Sequence, residues 1–316
     1  MMTGYAHVGG ELSPAPASGG AIWIDLLAPD EAERRRLAAI LGFEAPTREE
    51  QEEIELSSRL YMENGAAVMT ALLPAQTENE QAEIGPVTFI LTETRLVTIR
   101  HHDPRPFTSY PAHAARATIP CDSALGVLLG LLEEVIDRLA DITEYAGRKI
   151  ETLTDNVFRP DAASNADLKG YIQRIGRRDK LVAHIRDSLV TVERLLGFLT
   201  HLLAQRKADK KATAMVKSQL RDVKTISEQA NFLMQKTAFL LDATMGLINI
   251  EQNAITRMFS IVAVIFLPPT LIASIYGMNF QFMPELGLRF GYPGALLLMV
   301  GSVAAALAYC RRRGWL

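Results

Sequence analysis

The spacing of apolar positions divides the chain into three regimes. Up to residue 123, apolar residues come in short runs broken by turn residues, the pattern of strands and short helices. Residues 21–27 read as a strand. Residues 58–62 and 66–73 flank Glu63, Asn64 and Gly65, and Asn-Gly between such runs is a strong hairpin signal. Residues 86–91 and 95–100 form a second hairpin across Thr92, Glu93 and Thr94. Pro29, Asp30 and Glu31 open a helix, because proline suits a first turn and acids suit the positive end of the helix dipole. A second helix starts at Thr47, with Glu49 and Glu50 in its first turn. Residues 1–19, rich in Gly, Pro, Ser and Ala, read as a loose arm. Residues 20–123 thus predict an α+β domain with a mixed, mostly antiparallel sheet.

From Ala124 the period becomes helical. Val127, Leu131, Val135, Leu139 and Ile142 mark one face of a helix over 124–156. A polar turn with Pro160 leads into a second, antiparallel helix over 167–206, and residues 124–211 form a pair of long antiparallel helices. A third helix begins near Ala212 and meets no breaker until Pro268 and Pro269. Sixty-five residues at 1.5 Å each would be roughly 100 Å long. Such a helix must leave its own domain, so residues 212–257 are a stalk.

The third regime is uninterrupted apolarity. Residues 258–276 and 290–310 carry no formal charge, and each is about as long as a helix that crosses ~30 Å of hydrocarbon. They predict two transmembrane helices joined by a loop over 277–289, with a tail over 311–316. Arg311, Arg312 and Arg313 follow the second span directly, while the loop carries only Glu285 and Arg289. The positive-inside rule places the tail, and with two spans the N-terminal domain, in the cytoplasm. A signal peptide is not expected, since the first 20 residues lack a basic start and an apolar run.

Composition adds bounds. A mean hydropathy of +0.09 suits a large polar part joined to a small membrane part. A net charge of −3 gives no case for nucleic acid. The two cysteines support no disulfide framework, and His101-His102 reads as a solvated turn at a strand end. No nucleophile–base pair points to an enzyme.

Between the spans stands Tyr276-Gly277-Met278-Asn279-Phe280, followed by Met283-Pro284-Glu285-Leu286. With these go Ile248-Asn249-Ile250-Glu251-Gln252-Asn253, the Pro268-Pro269 pair, Phe290-Gly291-Tyr292-Pro293-Gly294 and Trp315-Leu316. Near the N-terminus stand residues 21–26 and Pro29-Asp30. The whole set resembles the CorA family of magnesium and cobalt transporters, most of all its short enteric-type members. The resemblance covers most of the chain and is most specific in the last 80 residues.

Two spans per chain cannot enclose a polar path, so several chains must surround an axis. Stepping back from Gly277 by helical turns gives a stripe of Thr270, Leu267, Phe259, Thr256, Asn253, Asn249, Met245 and Asp242. Polar groups in a membrane face a partner or water. Asn249 and Asn253 favour a pore, whereas Ser260 and Ser274 fit equally well as hydroxyls bonded back to their own helix. Pro268 and Pro269 remove two helix donors and predict a bend. Gly277 reads as a sharp exit with positive φ, and Met278 as packing the turn. Mg²⁺ keeps its waters tightly. A ring of Asn279 amide oxygens with Gly277 carbonyls could hold those waters without stripping them, and Glu285 could gather cations outside.

The resemblance implies a homopentamer in the bacterial inner membrane that carries Mg²⁺ and Co²⁺ inward, with Ni²⁺ a further substrate. It implies a filter at Gly277, Met278 and Asn279, polar pore rings at Asp242, Asn249 and Asn253, and a gate at Thr256, Phe259 and Leu267. Thr256 departs from the bulky apolar residue usual there, which leaves either a leakier gate or Phe259 as the main barrier. Arg311, Arg312 and Arg313 would form a basic collar. Intracellular Mg²⁺ bound between subunits would hold the channel shut, with Asp222 as one half of that site. Gln281 stands where the family often has an acid. Two alternatives remain open: a Zn²⁺ transporter of the same fold, against which Met278 argues, and a membrane-anchored helical scaffold with no pore.

Overall fold

A computed structural model of the chain describes residues 1–17, 19–53, 55–77, 82–159, 165–206, 209–279, 281 and 283–315, and the side chains of all of these but 56, 57, 165–167, 285 and 286. Contacts divide it into two units, Met1–Arg159 with Gly170–Leu241, and Asp242–Leu316 with Pro160–Lys169.

The first unit holds a seven-stranded sheet: β1 (Met2–Val8), β2 (Glu11–Ala15), β3 (Trp23–Leu27), β4 (Leu60–Glu63), β5 (Ala66–Ala75), β6 (Glu83–Leu91) and β7 (Leu96–Arg100). Their order is β2-β1-β3-β7-β6-β5-β4, antiparallel throughout except for β3 beside β7. The β4–β5 turn follows from its residues: Asn64 and Gly65 both take positive φ, which matches the twist of the flanking strands. Alternation sorts the side chains to two faces. Trp23, Phe89 and Leu96 point to one core, while Ile24, Ile90 and Val97 point to the other.

The second core is closed by α1 (Glu31–Leu41), capped by Asp30 in a reciprocal box with Glu33. Thr47 caps α2 (Arg48–Glu52) in the same way, with Glu50. The first core is closed by α4 (Pro106–His113), α5 (Ala124–Val157), α6 (Asn165–Gln205) and the start of α7 (Lys210–Tyr276). A short α3 (Leu56–Arg59) precedes β4.

Three expectations change. Residues 2–15 are not a loose arm: β1 and β2 form a hairpin around Gly9 and Gly10, both at positive φ, and β1 pairs along β3. Tyr5 stacks on Trp23 at 4.8 Å and Leu12 is buried, so a few well-spaced apolar residues outweigh the turn-rich composition. The strand expected at 58–62 begins only at Leu60. The segment before Ala124, for which no element was expected, contains α4, whose Pro106 sits in the first turn where no donor is lost. His102 is not a solvated turn residue either. Its Nε2 lies 2.8 Å from the Leu73 carbonyl, and burial lowers the pKa of both His101 and His102. The Pro160 turn lies outside the described residues.

The second unit contains the rest of α7, a 3-10 turn (Pro284–Gly287) and α8 (Gly291–Arg312). Helix α7 runs unbroken through Pro268 and Pro269 for 67 residues.

Candidate functional site

Two helices are long and apolar enough to cross a membrane, α7 and α8. The most apolar stretch of α7 buries none of its residues within the chain. A helix that is apolar and unburied needs lipid or further copies around it. Met258, Phe266, Leu271, Leu297 and Val300 are all exposed on the single chain.

Along α7 the stripe read from the sequence is equally uncovered: Asp242, Met245, Asn249, Asn253, Thr256, Phe259, Leu267 and Thr270 are all exposed. The hydroxyls among them are already satisfied locally. Thr256 donates to the Gln252 carbonyl at 2.9 Å, Ser260 to Thr256 at 2.9 Å and Thr270 to Phe266 at 2.7 Å. Such bonds one turn back remove the cost of a hydroxyl in hydrocarbon. Among the described residues the Asn249 and Asn253 amides make no such bond one turn back, and so carry the polar character of the stripe.

At its C-terminal end the helix closes through Gly277, whose N–H donates to Ala273 at 2.9 Å, while Met278 N–H donates to Ile275 at 3.2 Å. Gly277 does not take positive φ. A Cβ there would stand 3.2 Å from the Ala273 carbonyl oxygen, a tight contact. Met278 does not pack the turn: it is nearly half exposed. Asn279 follows, exposed and beyond the helix. Phe280 lies outside the described residues, as does the Glu285 side chain, though the Glu285 backbone belongs to the 3-10 turn.

The other end of α8 carries the basic residues. Arg311 and Arg312 stand in its last turn, where cations complement the helix dipole, and Arg313 caps it. Trp315 N–H returns to the Cys310 carbonyl at 3.0 Å around Gly314 at φ +67°, a glycine C-terminal closure. The Arg313 guanidinium lies 5.8 Å from the Tyr309 ring.

Asp222 is exposed on α7 and lies close enough to α5 to act on Asp137. Burial first, and then Glu133, Glu134, Asp141 and Asp222, raise the Asp137 pKa. The sequence reading passed over this group, although Glu133, Asp137 and Asp141 at four-residue spacing are a legible acidic stripe. Two cavities of about 320 and 350 Å³ share His113, Glu134 and Asp137. Among the described residues no three His, Cys, Asp or Glu side chains converge tightly enough to hold a bare metal ion.

Comparison with known proteins gives this geometry a family. The model of the CorA-like Mg2+ transporter protein family matches residues 18–312. Magnesium transport protein CorA of Yersinia pseudotuberculosis is 34% identical over 308 residues, 97% of this chain and 95% of that protein. Magnesium transport protein CorA of Escherichia coli K12 is 35% identical over 298 residues, 94% of this chain and 92% of that protein. In structure, the CorA magnesium transporter of Methanocaldococcus jannaschii superposes with a TM-score of 0.79 at 18% identity, covering 100% of this chain and 99% of that one. The full-length CmaX protein superposes with a TM-score of 0.68 at 13% identity, covering 99% and 97%. The two likenesses in structure show the fold, and the family model with the curated relatives shows that the chain belongs to the CorA-like Mg²⁺ transporter family.

Proposed function

We propose that the protein is a channel for Mg²⁺, with Co²⁺ and Ni²⁺ as further substrates, built as a homopentamer around α7. The observation that carries this is the wholly unburied apolar stretch of α7 with an uncovered polar stripe on it, ending at Gly277-Met278-Asn279. A scaffold would need the apolar stretch but not the asparagines. The curated relatives named as magnesium transport proteins support the choice of ion.

In this reading the ion arrives hydrated, and Asn279 oxygens accept hydrogen bonds from its waters. Neutral amides hold a dication less firmly than carboxylates would, which permits release. Glu285 gathers cations at the outer mouth. Asn253, Asn249 and Asp242 receive the ion in turn. Phe259 and Leu267 form apolar rings that close the path by dewetting, with Thr256 a weaker third ring. Pro268 and Pro269 leave two carbonyls without helical donors and set the place where α7 can flex. The termini lie in the cytoplasm, with Arg311, Arg312 and Arg313 at the inner face of the bacterial inner membrane. Inward flow is driven by the membrane potential, worth roughly 4.6 kcal/mol per 100 mV for a dication. Cytoplasmic Mg²⁺ at Asp222 closes the channel.

The test is Mg²⁺ uptake by proteoliposomes under an inside-negative potential, with Asn279→Ala alongside. Uptake that disappears in the variant supports both pore and filter. Equal uptake in both removes Asn279 from the filter, and none in the wild type at low internal Mg²⁺ overturns the channel reading.

A further inference from the structure

The end of α8 carries charge that its own helix does not use. A helix leaves its last carbonyls without donors, and arginines in the last turn can serve them. Here backbone amides do so instead. Arg313 N–H donates to the Tyr309 carbonyl at 3.1 Å, Trp315 N–H to Cys310 at 3.0 Å and Gly314 N–H to Arg311 at 3.1 Å. Arg311, Arg312 and Arg313 are all exposed, and among the described residues no carboxylate pairs with any of them. Between residues 243 and 316 the only acids are Glu251 and Glu285. Glu285 belongs to the turn before α8, at its opposite end, and Glu251 keeps a carboxylate oxygen with no hydrogen-bond partner. Three uncompensated positive charges thus follow directly on an apolar helix. The helix dipole places only about half a negative charge at this end, which three guanidiniums outweigh.

The turn also fixes where these charges stand. Gly314 at φ +67° folds the chain back. Trp315 therefore meets the Tyr309 ring edge-on at 6.3 Å, and the Arg313 guanidinium lies 5.8 Å from that same ring. An arginine held near an aromatic ring is oriented before it meets a ligand. Both rings stay partly exposed. Tyr and Trp settle at the level of lipid headgroups, with the apolar ring toward the acyl chains and the polar atom in the wet layer. The guanidinium fork matches the oxygens of a phosphate. The loop at the opposite end of α8 lacks this composition, since its charges are one acid and one base, Glu285 and Arg289. One end of the helix, and not the other, is complementary to phosphate at a lipid surface.

We infer that the C-terminal turn of α8, with Tyr309, Arg311, Arg312, Arg313 and Trp315, is a binding site for the headgroup of an anionic phospholipid. The site rests on α8 being a membrane span, but needs no pore, no ion gradient and no Asn279. The chain has two tryptophans, and Trp23 is fully buried in the first unit, so quenching by lipid reports Trp315. Full-length protein is reconstituted into phosphatidylcholine vesicles in which brominated phosphatidylglycerol, or brominated phosphatidylcholine, replaces the plain lipid stepwise. The anionic lipid should quench at about one-fifth of the mole fraction that the neutral one needs, the worth of one arginine at an anionic surface. Arg311→Gln with Arg312→Gln and Arg313→Gln should abolish that preference and leave quenching by the neutral lipid. Salt at ~0.5 M should weaken the preference, whereas inorganic phosphate at matched ionic strength should not. Equal quenching by both lipids in the wild type overturns the headgroup site and leaves the span, while no quenching by either overturns the span with it. A preference that inorganic phosphate abolishes, or that survives in the triple variant, also overturns the site. If the triple variant does not insert, Arg313→Gln decides: it should roughly halve the preference, and an unchanged preference overturns the site equally.

Discussion

Asp25 and Arg100 face each other across the one parallel strand pair, each with its side chain about 8% exposed. Arg100 Nη2 donates to Asp25 at 2.9 Å, Thr98 donates to the same carboxylate at 2.7 Å, and Trp23 Nε1 donates to Thr98 at 3.0 Å. Burial alone would lower the Arg100 pKa, but its hydrogen bonds to Asp25 and Asp103 raise it overall. Removing Asp25 leaves the buried guanidinium with the largely exposed Asp103 alone, and breaking a buried pair in this way costs about 3 kcal/mol. Asp25→Asn should therefore lower the apparent melting temperature of the full-length protein in detergent by roughly 10 °C, read by circular dichroism; a drop of a degree or two would mean the pair is solvated. His102 makes a second residue-scale prediction. Burial lowers its pKa below the unfolded value of about 6.5. The unfolded chain therefore takes up the proton first, and the stability present above that value is lost as pH falls through it. His101 and His184 are shifted the same way. Asp137 works in the opposite sense, costing stability as pH rises through its raised value. Melting between pH 8 and pH 5 should show a loss on the acid side that His102→Gln reduces.

The coupling of α6 to the sheet rests on two hydroxyls. Strand β4 pairs β5 only as far as Met69, so the β5 edge beyond it lacks a neighbouring strand. There Ser188 donates to the Leu72 carbonyl at 2.5 Å, and Leu72 N–H donates to Thr191 at 2.9 Å. Helix α6 thus stands in for a strand, and Pro86 is tolerated opposite Leu72 because neither polar group of Leu72 needs β6. Thr191→Val should cost about 1–3 kcal/mol and speed hydrogen exchange at the Leu72 amide; unchanged exchange there would show that the contact is dispensable. This contact was not legible in the sequence, since nothing in the period of α6 tells which residues meet a strand more than a hundred positions away. What was legible is what local chemistry decides: helix starts at Pro29-Asp30-Glu31 and at Thr47, Asn64-Gly65 as a turn, and the three long helices. The β1–β2 hairpin was missed because it depends on Tyr5 meeting Trp23, a tertiary contact. At the site, the stripe was visible from spacing, whereas Gly277 does not take the positive φ expected of it and the cavity beside Tyr110 forms only when α4 meets α5.

For the assembled molecule, α7 is one 67-residue element with residues in both units, so a change near Asp222 and one near Thr256 act on the same helix. Lys236 pairs with Glu151 on α5, and Thr237 donates to Asp179 on α6 at 2.8 Å, which ties the stalk to both long helices a turn or so before Asp242. In the proposed pentamer the barrier depends on what α7 presents to the axis. Thr256 puts a hydroxyl there that is already bonded to Gln252, so its exposed surface is part methyl and part oxygen, and a ring of five wets more readily than a ring of leucines. Phe259, one turn on and 66% exposed, offers the larger apolar surface. Thr256→Leu completes the apolar ring; if that adds about 1.4 kcal/mol to the barrier, flux falls about tenfold. Phe259→Ala removes the larger ring and should raise the uptake that persists at high internal Mg²⁺. The two should oppose each other in proteoliposomes loaded with Mg²⁺ inside, where closure is favoured. If Thr256→Leu changes nothing while Phe259→Ala leaks, the phenylalanine ring alone is the gate, and the threonine is permitted because the step it occupies is not limiting.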